Sequence, residues 1–494
     1  MSAVEYRISD LMQQSGVGFG TSGARGRVAD MTPPVCYAYT RAFLQHLESS
    51  QGLPPGSRVA IAGDLRPSTP DIMAAVARAC VDAGHQPVNC GLIPSPAVAL
   101  YGIEQNIPAI MVTGSHIPDD RNGIKFNKLG GEILKDDELA IRAQTVTVPE
   151  PFPADYAAAL PAVDATAAQR YLQRYLDFFP RQALQGLKVG VYEHSGVGRD
   201  LLAAVLERLG ADITRLNRSE VFIPVDTEAI RPEDVELARG WAGELKLDAI
   251  VSTDGDADRP LIADATGSWL RGDIVGVLCA QALGIDRLAT PVSSNTVVEK
   301  CGSFERVERT RIGSPYVITG MQTLAEGGGA SVAGYEANGG FLLATPVRRD
   351  GRELAALPTR DAFIVILAVL AAAREQGSVS ALAAALPPRY TYSDRIKAFP
   401  TEQSARILAE LDGSQAKLDA IFGKIAQSRL IELDSTDGLR LTFDNQEIIH
   451  LRPSGNAPEL RCYNEAGSAG RAEALNRDCM ALLAGWREKQ PPPP

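Results

Sequence analysis

No apolar run in this sequence approaches the ~20 residues that a membrane-spanning helix needs, which argues against a membrane protein. The first residues, MSAVEYRISDLMQQSG, lack the basic-then-apolar order of a signal peptide, so the cytoplasm is the expected compartment. Cysteine is scarce and scattered: seven residues, Cys36, Cys80, Cys90, Cys279, Cys301, Cys462 and Cys479, with no C-x-x-C pair among them. That spacing excludes the usual zinc sites and a disulfide framework, and leaves most of these thiols as small core residues. Positive charge is also in deficit. Lys and Arg number 49 against 60 Asp and Glu, a formal net charge of −11. Such a surface does not suit a nucleic-acid-coating protein. It does not exclude a small anionic substrate, because a cleft on an acidic protein can be locally basic. Two catalytic signatures are missing as well: the G-x-S-x-G nucleophile elbow and the twelve-residue EF-hand loop.

What is present is a long, ordinary globular composition. The 494 residues exceed one core and suggest roughly three or four domains. Hydrophobic residues make up 45% and charged residues 22%, the balance of a water-soluble fold. The final PPPP reads as a disordered tail.

Three segments share one plan. The first runs from a strand at Arg58–Gly63, through a helix opened by Ser68-Thr69 and Pro70 and stopped by Gly84, to strands near Pro87–Cys90 and at Ala109–Thr113. Its last strand empties into Gly114-Ser115-His116-Ile117-Pro118. The second has a strand at Lys188–Tyr192, a helix at Asp200–Leu209, a strand near Asp212–Leu216, and Asp248–Ser252 leading into Thr253–Arg259. The third has Thr290–Ser293, a helical stretch near Pro315–Ala325, and Ser331–Gly334 leading into Tyr335–Gly340. Strands alternating with helices predict α/β layers on mixed or parallel sheets. In such sheets ligands bind beyond the carboxyl ends of the strands, where each of these polar loops begins. After Pro387-Pro388 the pattern changes to extended (Tyr390–Pro400), helical (Gln403–Leu411), two strand-like runs (Gly438–Phe443, Ile448–Leu451) and a last helix near Gly470–Trp486. The expected fold class is therefore α/β: three similar α/β domains with mixed sheets plus a C-terminal α+β domain, around a central cleft. The expected boundaries are 1–155, 165–268, 269–388 and 389–490, with a linking helix over Asp164–Phe179.

The loops carry the chemistry. Asp254, Asp256 and Asp258 stand on alternate positions, with Arg259 directly behind. Several carboxylate oxygens converging at a strand end suit a hard cation such as Mg²⁺, although an acidic turn in water would also read this way. Ser115 beside His116 admits a hydrolase nucleophile, a turn-capping serine or a carrier of a phosphoryl group; the last would need cationic neighbours. Lys125 follows near the same strand end, and a lysine among cations in a partly dry site has a lowered pKa and can move protons. Glu336 and Asn338 offer the acceptors and donors that vicinal hydroxyls require. Arg452, Ser454, Gly455 and Asn456, followed by Arg461, have the make-up of a phosphate cradle. Arg25 in GTSGARG and Arg66 in DLR are further guanidinium groups beside small-residue loops or strand ends, and Arg311 lies in a candidate specificity loop, RIGSPY.

Taken in order, FGTSGARG (Phe19–Gly26), TGSHIP (Thr113–Pro118), DGDADR (Asp254–Arg259), EANGG (Glu336–Gly340) and RPSGNAP (Arg452–Pro458) resemble the α-D-phosphohexomutase family over nearly the whole chain. Within it, TGSHIP with EANGG is most similar to bacterial phosphomannomutase-like members. The resemblance implies four domains around a deep cleft, a phosphoserine at Ser115, and Mg²⁺ on Asp254, Asp256 and Asp258 with Ser115 as a further ligand. It implies sugar contacts from Glu336 and Asn338, phosphate binding by Arg452, Ser454, Gly455, Asn456 and Arg461, and a phosphoryl site ringed by Arg25, His116, Lys125 and Arg259. It departs from the common pattern at Gly114 and Ile117, where alanine and asparagine are usual. The other departures are Asn338-Gly339-Gly340, where serine-glycine-histidine is common, and Asn456, which replaces threonine.

The implied reaction interconverts hexose 6-phosphate and hexose 1-phosphate through a hexose 1,6-bisphosphate, which also serves as primer. Mannose phosphate is the first choice of sugar, with glucose and glucosamine phosphates as alternatives and Lys125 as the expected base. A metal-dependent sugar phosphatase and a non-catalytic sugar-phosphate sensor are the rival readings. The expected partner is a phosphosugar, with no nucleic acid and no membrane.

Overall fold

The computed structural model describes residues 2–20, 22–454 and 458–488. The chain groups into two compact units, one of Met1–Leu288 with Gly313–Ala383, the other of Ala289–Ile312 with Ala384–Pro494.

In the first unit, one mixed sheet has the strand order Gly18–Phe19, Gly23–Arg27, Arg121–Lys128, Ala109–Val112, Arg58–Gly63, Gln86–Leu92. Arg58–Gly63 runs parallel to both of its neighbours, whereas Arg121–Lys128 is antiparallel to Ala109–Val112 and to Gly23–Arg27. The central strands are buried on both faces, which explains their unbroken apolar sequences, AIMV and VAIAG. A second sheet orders Asp212–Arg218, Lys188–His194, Ala249–Thr253 and Pro260–Ala263, parallel except for the last strand. Farther along, Val332–Tyr335 pairs antiparallel with Phe341–Leu343.

These pairings reveal what the three repeats share. Each site loop is the turn between a buried strand and its antiparallel neighbour, closed by the pairs Val112↔Ile124, Thr253↔Pro260 and Tyr335↔Phe341. The loop is thus anchored at both ends to a sheet, as positioning a reactive side chain requires.

Helices cover the sheets. Thr69–Asp82 begins where the Ser-Thr-Pro signal places it, but Ser68 makes no side-chain cap; its hydroxyl instead accepts from Asn122 Nδ2 at 2.9 Å. The linking helix, Thr166–Phe178, turns Tyr171 and Tyr175 onto Asp361, at 2.8 and 2.6 Å. Asp361 caps the helix Ala362–Gln376, whose sequence AFIVILAVLAAA is buried nearly all round.

The second unit carries a five-stranded antiparallel sheet ordered Tyr390–Lys397, Glu459–Ala466, Ile448–Pro453, Leu439–Phe443, Leu430–Asp434. Helices Thr401–Leu411, Gln415–Ala426 and Ala469–Glu488 accompany it, and Phe399, Leu418, Phe422, Leu475 and Leu483 lie in its core. This is the expected α+β arrangement. The strand expected at Thr290–Ser293 is displaced: it spans Arg287–Pro291, because the chain turns where Ser294 N meets Pro291 O. The terminal PPPP lies outside the described residues. Among the described residues no helix is long and apolar enough to cross a membrane.

Candidate active site

Ser115 sits at the head of its turn with a left-handed φ of 56°, a conformation that costs a non-glycine residue on the order of 1–3 kcal/mol and must be held by its surroundings. The holding groups are visible. Thr113 Oγ1 accepts from Ser115 N at 2.8 Å and donates to Asp64 Oδ2 at 2.7 Å. Arg66, ion-paired with Asp64, donates to the carbonyls of Ser115 (2.9 Å) and Ile117 (2.5 Å) and lies 4.0 Å over the ring of Phe222. Arg66 is 1% exposed. Its guanidinium occupies the place where a Cβ on residue 114 would stand, 2.8 Å from Cζ. Arg66 thus fills the space that a side chain at residue 114 would need.

Ser115 Oγ donates to Asp254 Oδ2 at 2.7 Å, so the first repeat's loop meets the second's. Asp254, Asp256 and Asp258 are all buried and offer oxygens within 4.8 Å of one another. Asp256 Oδ1 and Asp258 Oδ1 are buried without a hydrogen-bond partner. Orphaned carboxylate oxygens converging this closely fit a hard divalent cation. Burial and the two neighbouring carboxylates push Asp254's carboxyl well above the usual range. Asp258 is held below it: burial opposes ionisation, but Arg360, Lys125 and Arg259 outweigh it.

Lys125 corrects one expectation. Its Nζ contacts Asp256 Oδ2 at 2.6 Å and Asp258 Oδ2 at 2.7 Å. Burial alone would lower its pKa, but the two carboxylates raise it above the ordinary value. The lowered pKa expected of a proton-moving lysine is not found while Asp256 and Asp258, more than a hundred residues away in the chain, stand against its ammonium. Lys125 lies opposite Gly23 in register, and Arg25 two residues on, so alternation sets Lys125 and Arg25 on one face of the sheet. Arg25 falls to about 10 through burial and the nearby Arg259.

His116 Nδ1 accepts from Arg259 at 2.8 Å and lies 3.4 Å from Ser115 Oγ. A ring nitrogen that receives an arginine N–H is unprotonated. Burial first, then Arg259, lowers the imidazole's pKa to about 3. His116 is a neutral acceptor in this arrangement.

The third loop joins through a residue that the sequence reading missed. Arg360 bridges Asp258 Oδ2 (3.1 Å) and Glu336 Oε2 (3.3 Å). Nothing in Leu357-Pro358-Thr359-Arg360 marks it; the nearest legible signal is Asp361, a cap before an apolar run. Asn338 behaves differently from expectation: its side-chain oxygen accepts from Gly340 N at 2.9 Å, within its own loop, which leaves its amide N–H groups for a ligand. The carboxylates Asp254, Asp256, Asp258 and Glu336, with Asp226 near His116 and Arg259, thus face the cations Arg25, Lys125, Arg259 and Arg360.

Of the remaining predicted residues, Arg311, Arg452, Ser454 and Arg461 belong to the second unit, while Gly455 and Asn456 lie outside the described residues. In the second unit Arg395, Arg461 and Arg452 stand opposite one another on three adjacent strands. Like charges directly opposite destabilise a sheet, so this row suits an anion. Asp437, also unremarked in the sequence, accepts from Ile312 N at 2.9 Å and lies 2.9 Å from Arg452 Nε, tying Ile312 to the basic row within the second unit.

The chain is similar to known proteins over nearly its whole length. The phosphoglucomutase/phosphomannomutase alpha/beta/alpha domains I, II and III match residues 16–150, 169–267 and 271–390. A phosphomannomutase of Salmonella muenchen is 46% identical over 465 residues, covering 94% of this chain and 95% of its own. One from Sinorhizobium fredii is 43% identical over 471 residues, covering 95% and 99%. The crystal structure of a phosphoglucomutase/phosphomannomutase family protein from Burkholderia thailandensis superimposes with a TM-score of 0.71 at 19% identity, covering 95% of this chain and 98% of that one. With the serine and aspartate loops meeting at Ser115, the third loop joined to them through Arg360, and two such relatives along nearly its full length, the chain belongs to the phosphoglucomutase/phosphomannomutase family and is a phosphohexomutase.

Proposed function

We propose that the chain interconverts mannose 6-phosphate and mannose 1-phosphate by way of a phosphoryl group carried on Ser115. The observation that carries this is the 2.7 Å contact between Ser115 Oγ and the buried aspartate loop. The choice of mannose rests on the two phosphomannomutase relatives. Asp254, Asp256 and Asp258, with Ser115, would hold Mg²⁺, which when bound supplies positive charge at the phosphoryl oxygens.

The chain's own residues account for the rest. In the first half, the Ser115 Oγ–P bond breaks as a bond forms from phosphorus to the sugar's free hydroxyl oxygen, the hydroxyl proton ends on Ser115 Oγ, and a hexose 1,6-bisphosphate results. In the second half, the other phosphate returns to Ser115. Phosphoryl transfer asks for alignment and charge neutralisation more than for covalent help. Arg25, Lys125 and Arg259 provide positive charge around the phosphoryl group, and Lys125 is the base expected from the sequence. Neutral His116 accepts from Arg259 and orients that guanidinium beside Ser115. Glu336 and Asn338 bind sugar hydroxyls. Arg452, Ser454, Gly455, Asn456 and Arg461 bind the phosphate that does not react, and Arg311 contributes to sugar specificity. A hexose 1,6-bisphosphate primes the enzyme. The domain division is the one read from the sequence: a phosphoserine domain (1–155), a metal domain (165–268), a sugar domain (269–388) and a phosphate domain (389–490).

Intact-mass spectrometry tests the carrier. A fraction of the purified protein should be about 80 Da heavier, the mass of one phosphoryl group, and fragmentation should place it on Ser115. Ser115→Ala should abolish mutase activity with a bisphosphate primer, and Asp256→Ala should abolish the response to Mg²⁺. Near-full activity in Ser115→Ala refutes the reading. Release of free phosphate without interconversion would favour a phosphatase.

A further inference from the structure

Arg360 enters the site from a segment fixed on both sides. Next to it, Thr359 Oγ1 donates to the buried Glu132 at 2.7 Å, and the same carboxylate accepts from Ser22 (2.8 Å) and Ser314 (2.9 Å). On the other side, Asp361 is held by Tyr171 and Tyr175, and its backbone N–H donates to Phe341 O at 2.9 Å. The side chain between these anchors is 5% exposed. One end of its guanidinium lies on Asp258 and the other on Glu336, while its Nε is buried without a partner.

The sugar loop is shaped around this arm. A Cβ on Gly340 would stand 2.7 Å from both Cγ and Cδ of Arg360. Gly340 is not in the left-handed region, so its small size serves the arginine and not the backbone turn. The missing side chain at 340 and the buried guanidinium are two halves of one arrangement. Without a cation between them, Glu336 and Asp258 would repel each other, and the Glu336 carboxylate would have no fixed direction.

We propose that Arg360 is a positioning residue for sugar recognition: it fixes the Glu336 carboxylate for the hexose hydroxyls, in the space that Gly340 leaves open. The inference rests on the mutase reading above and adds to it a determinant of hexose discrimination. A site that recognises hydroxyls by hydrogen bonds discriminates strongly only while its polar groups stay in place. Loss of Arg360 therefore acts through Glu336, on substrate affinity and on the preference among epimers.

The test compares wild type with Arg360→Gln, Arg360→Lys, Gly340→Ala and the double variant Gly340→Ala/Arg360→Gln. Initial rates are measured with mannose 6-phosphate and with glucose 6-phosphate, primed by glucose 1,6-bisphosphate. Arg360→Gln and Gly340→Ala should each raise KM by about tenfold or more and move the ratio of kcat/KM for the two sugars toward one. Ser115 phosphate occupancy should stay at the wild-type level. The double variant should be no worse than Arg360→Gln alone, because both changes remove one arrangement. If Arg360→Gln does not fold, Arg360→Lys replaces it, since a single ammonium lacks the planar fork that holds the two carboxylates at opposite ends of one guanidinium. Wild-type KM and wild-type sugar preference in the Arg360 variant overturn the inference, as does full additivity of the two changes. If wild type itself fails to interconvert the sugars, the mutase reading falls instead. Arg360 is then judged by calorimetric binding of mannose 6-phosphate, where affinity equal to wild type in Arg360→Gln overturns it.

Discussion

Gly114→Ala adds one methyl group beside the phosphoryl carrier, and the structure states what it meets. The new Cβ would lie 2.8 Å from Arg66 Cζ and 2.9 Å from its Nε and NH2. Arg66 cannot retreat without cost, since the fully buried side chain is ion-paired with Asp64 and packed on Phe222. Two outcomes are open to the molecule. If Arg66 moves, it weakens its bonds to the Ser115 and Ile117 carbonyls, each a charge-assisted contact of about 1.5–3 kcal/mol. If the loop moves, overpacking costs about 1–3 kcal/mol and Ser115 Oγ shifts from Asp254. A misplacement of about 1 Å at a reacting group costs on the order of a hundredfold in rate. Gly114→Ala should therefore lower kcat about a hundredfold while KM changes little, with a lower thermal midpoint. A coupled assay for hexose 6-phosphate formation measures the rate, and calorimetry the midpoint. The same substitution in an Arg66→Ala background should cost almost nothing further, because the obstacle is gone. A Gly114→Ala enzyme within about twofold of wild type, at an unchanged midpoint, would refute the reasoning.

Two further predictions concern buried histidines and the arginine row. Burial lowers His194 and His450 to about 4, and burial with Arg259 lowers His116 to about 3. Each takes up its proton more readily unfolded than folded, so the stability they contribute is complete above about pH 6.5 and is lost as pH falls toward these folded values. The thermal midpoint should fall between pH 7 and pH 5, and by less in His194→Phe; an equal fall would count against it. By the same logic, His116 should place no step near pH 6.5 in the rate profile. Arg461→Ala, in the middle of the arginine row, should raise KM by about tenfold or more for phosphosugars, and more at low ionic strength than at high. An unchanged KM would remove that row from the phosphate site.

The sequence disclosed the reactive loops because each combines a buried strand with chemistry confined to a few consecutive residues. Ser115, the alternating aspartates and EANGG are local patterns, and so is the helix that begins at Ser68-Thr69-Pro70. The helix Ala362–Gln376 was hidden by its own burial, since an apolar face all round leaves no period of 3.6 to detect. The antiparallel partners of the loop strands were hidden because pairing is a matter of distant segments. Lys125 shows the same limit in electrostatics: its pKa depends on Asp256 and Asp258, 131 and 133 residues away.

By itself, then, the sequence determined the repeated strand-and-loop plan, the residue types of the phosphoryl and metal loops, and the order in which they occur. Those properties are local, written in hydrophobic periodicity, glycine and charge. Only the tertiary structure decided which charges face one another. It set Arg66 against Gly114, Arg360 against Gly340, and two carboxylates against Lys125. Electrostatic energies and steric contacts depend on distance in space, and folding brings to within 4 Å groups that the chain keeps more than a hundred residues apart.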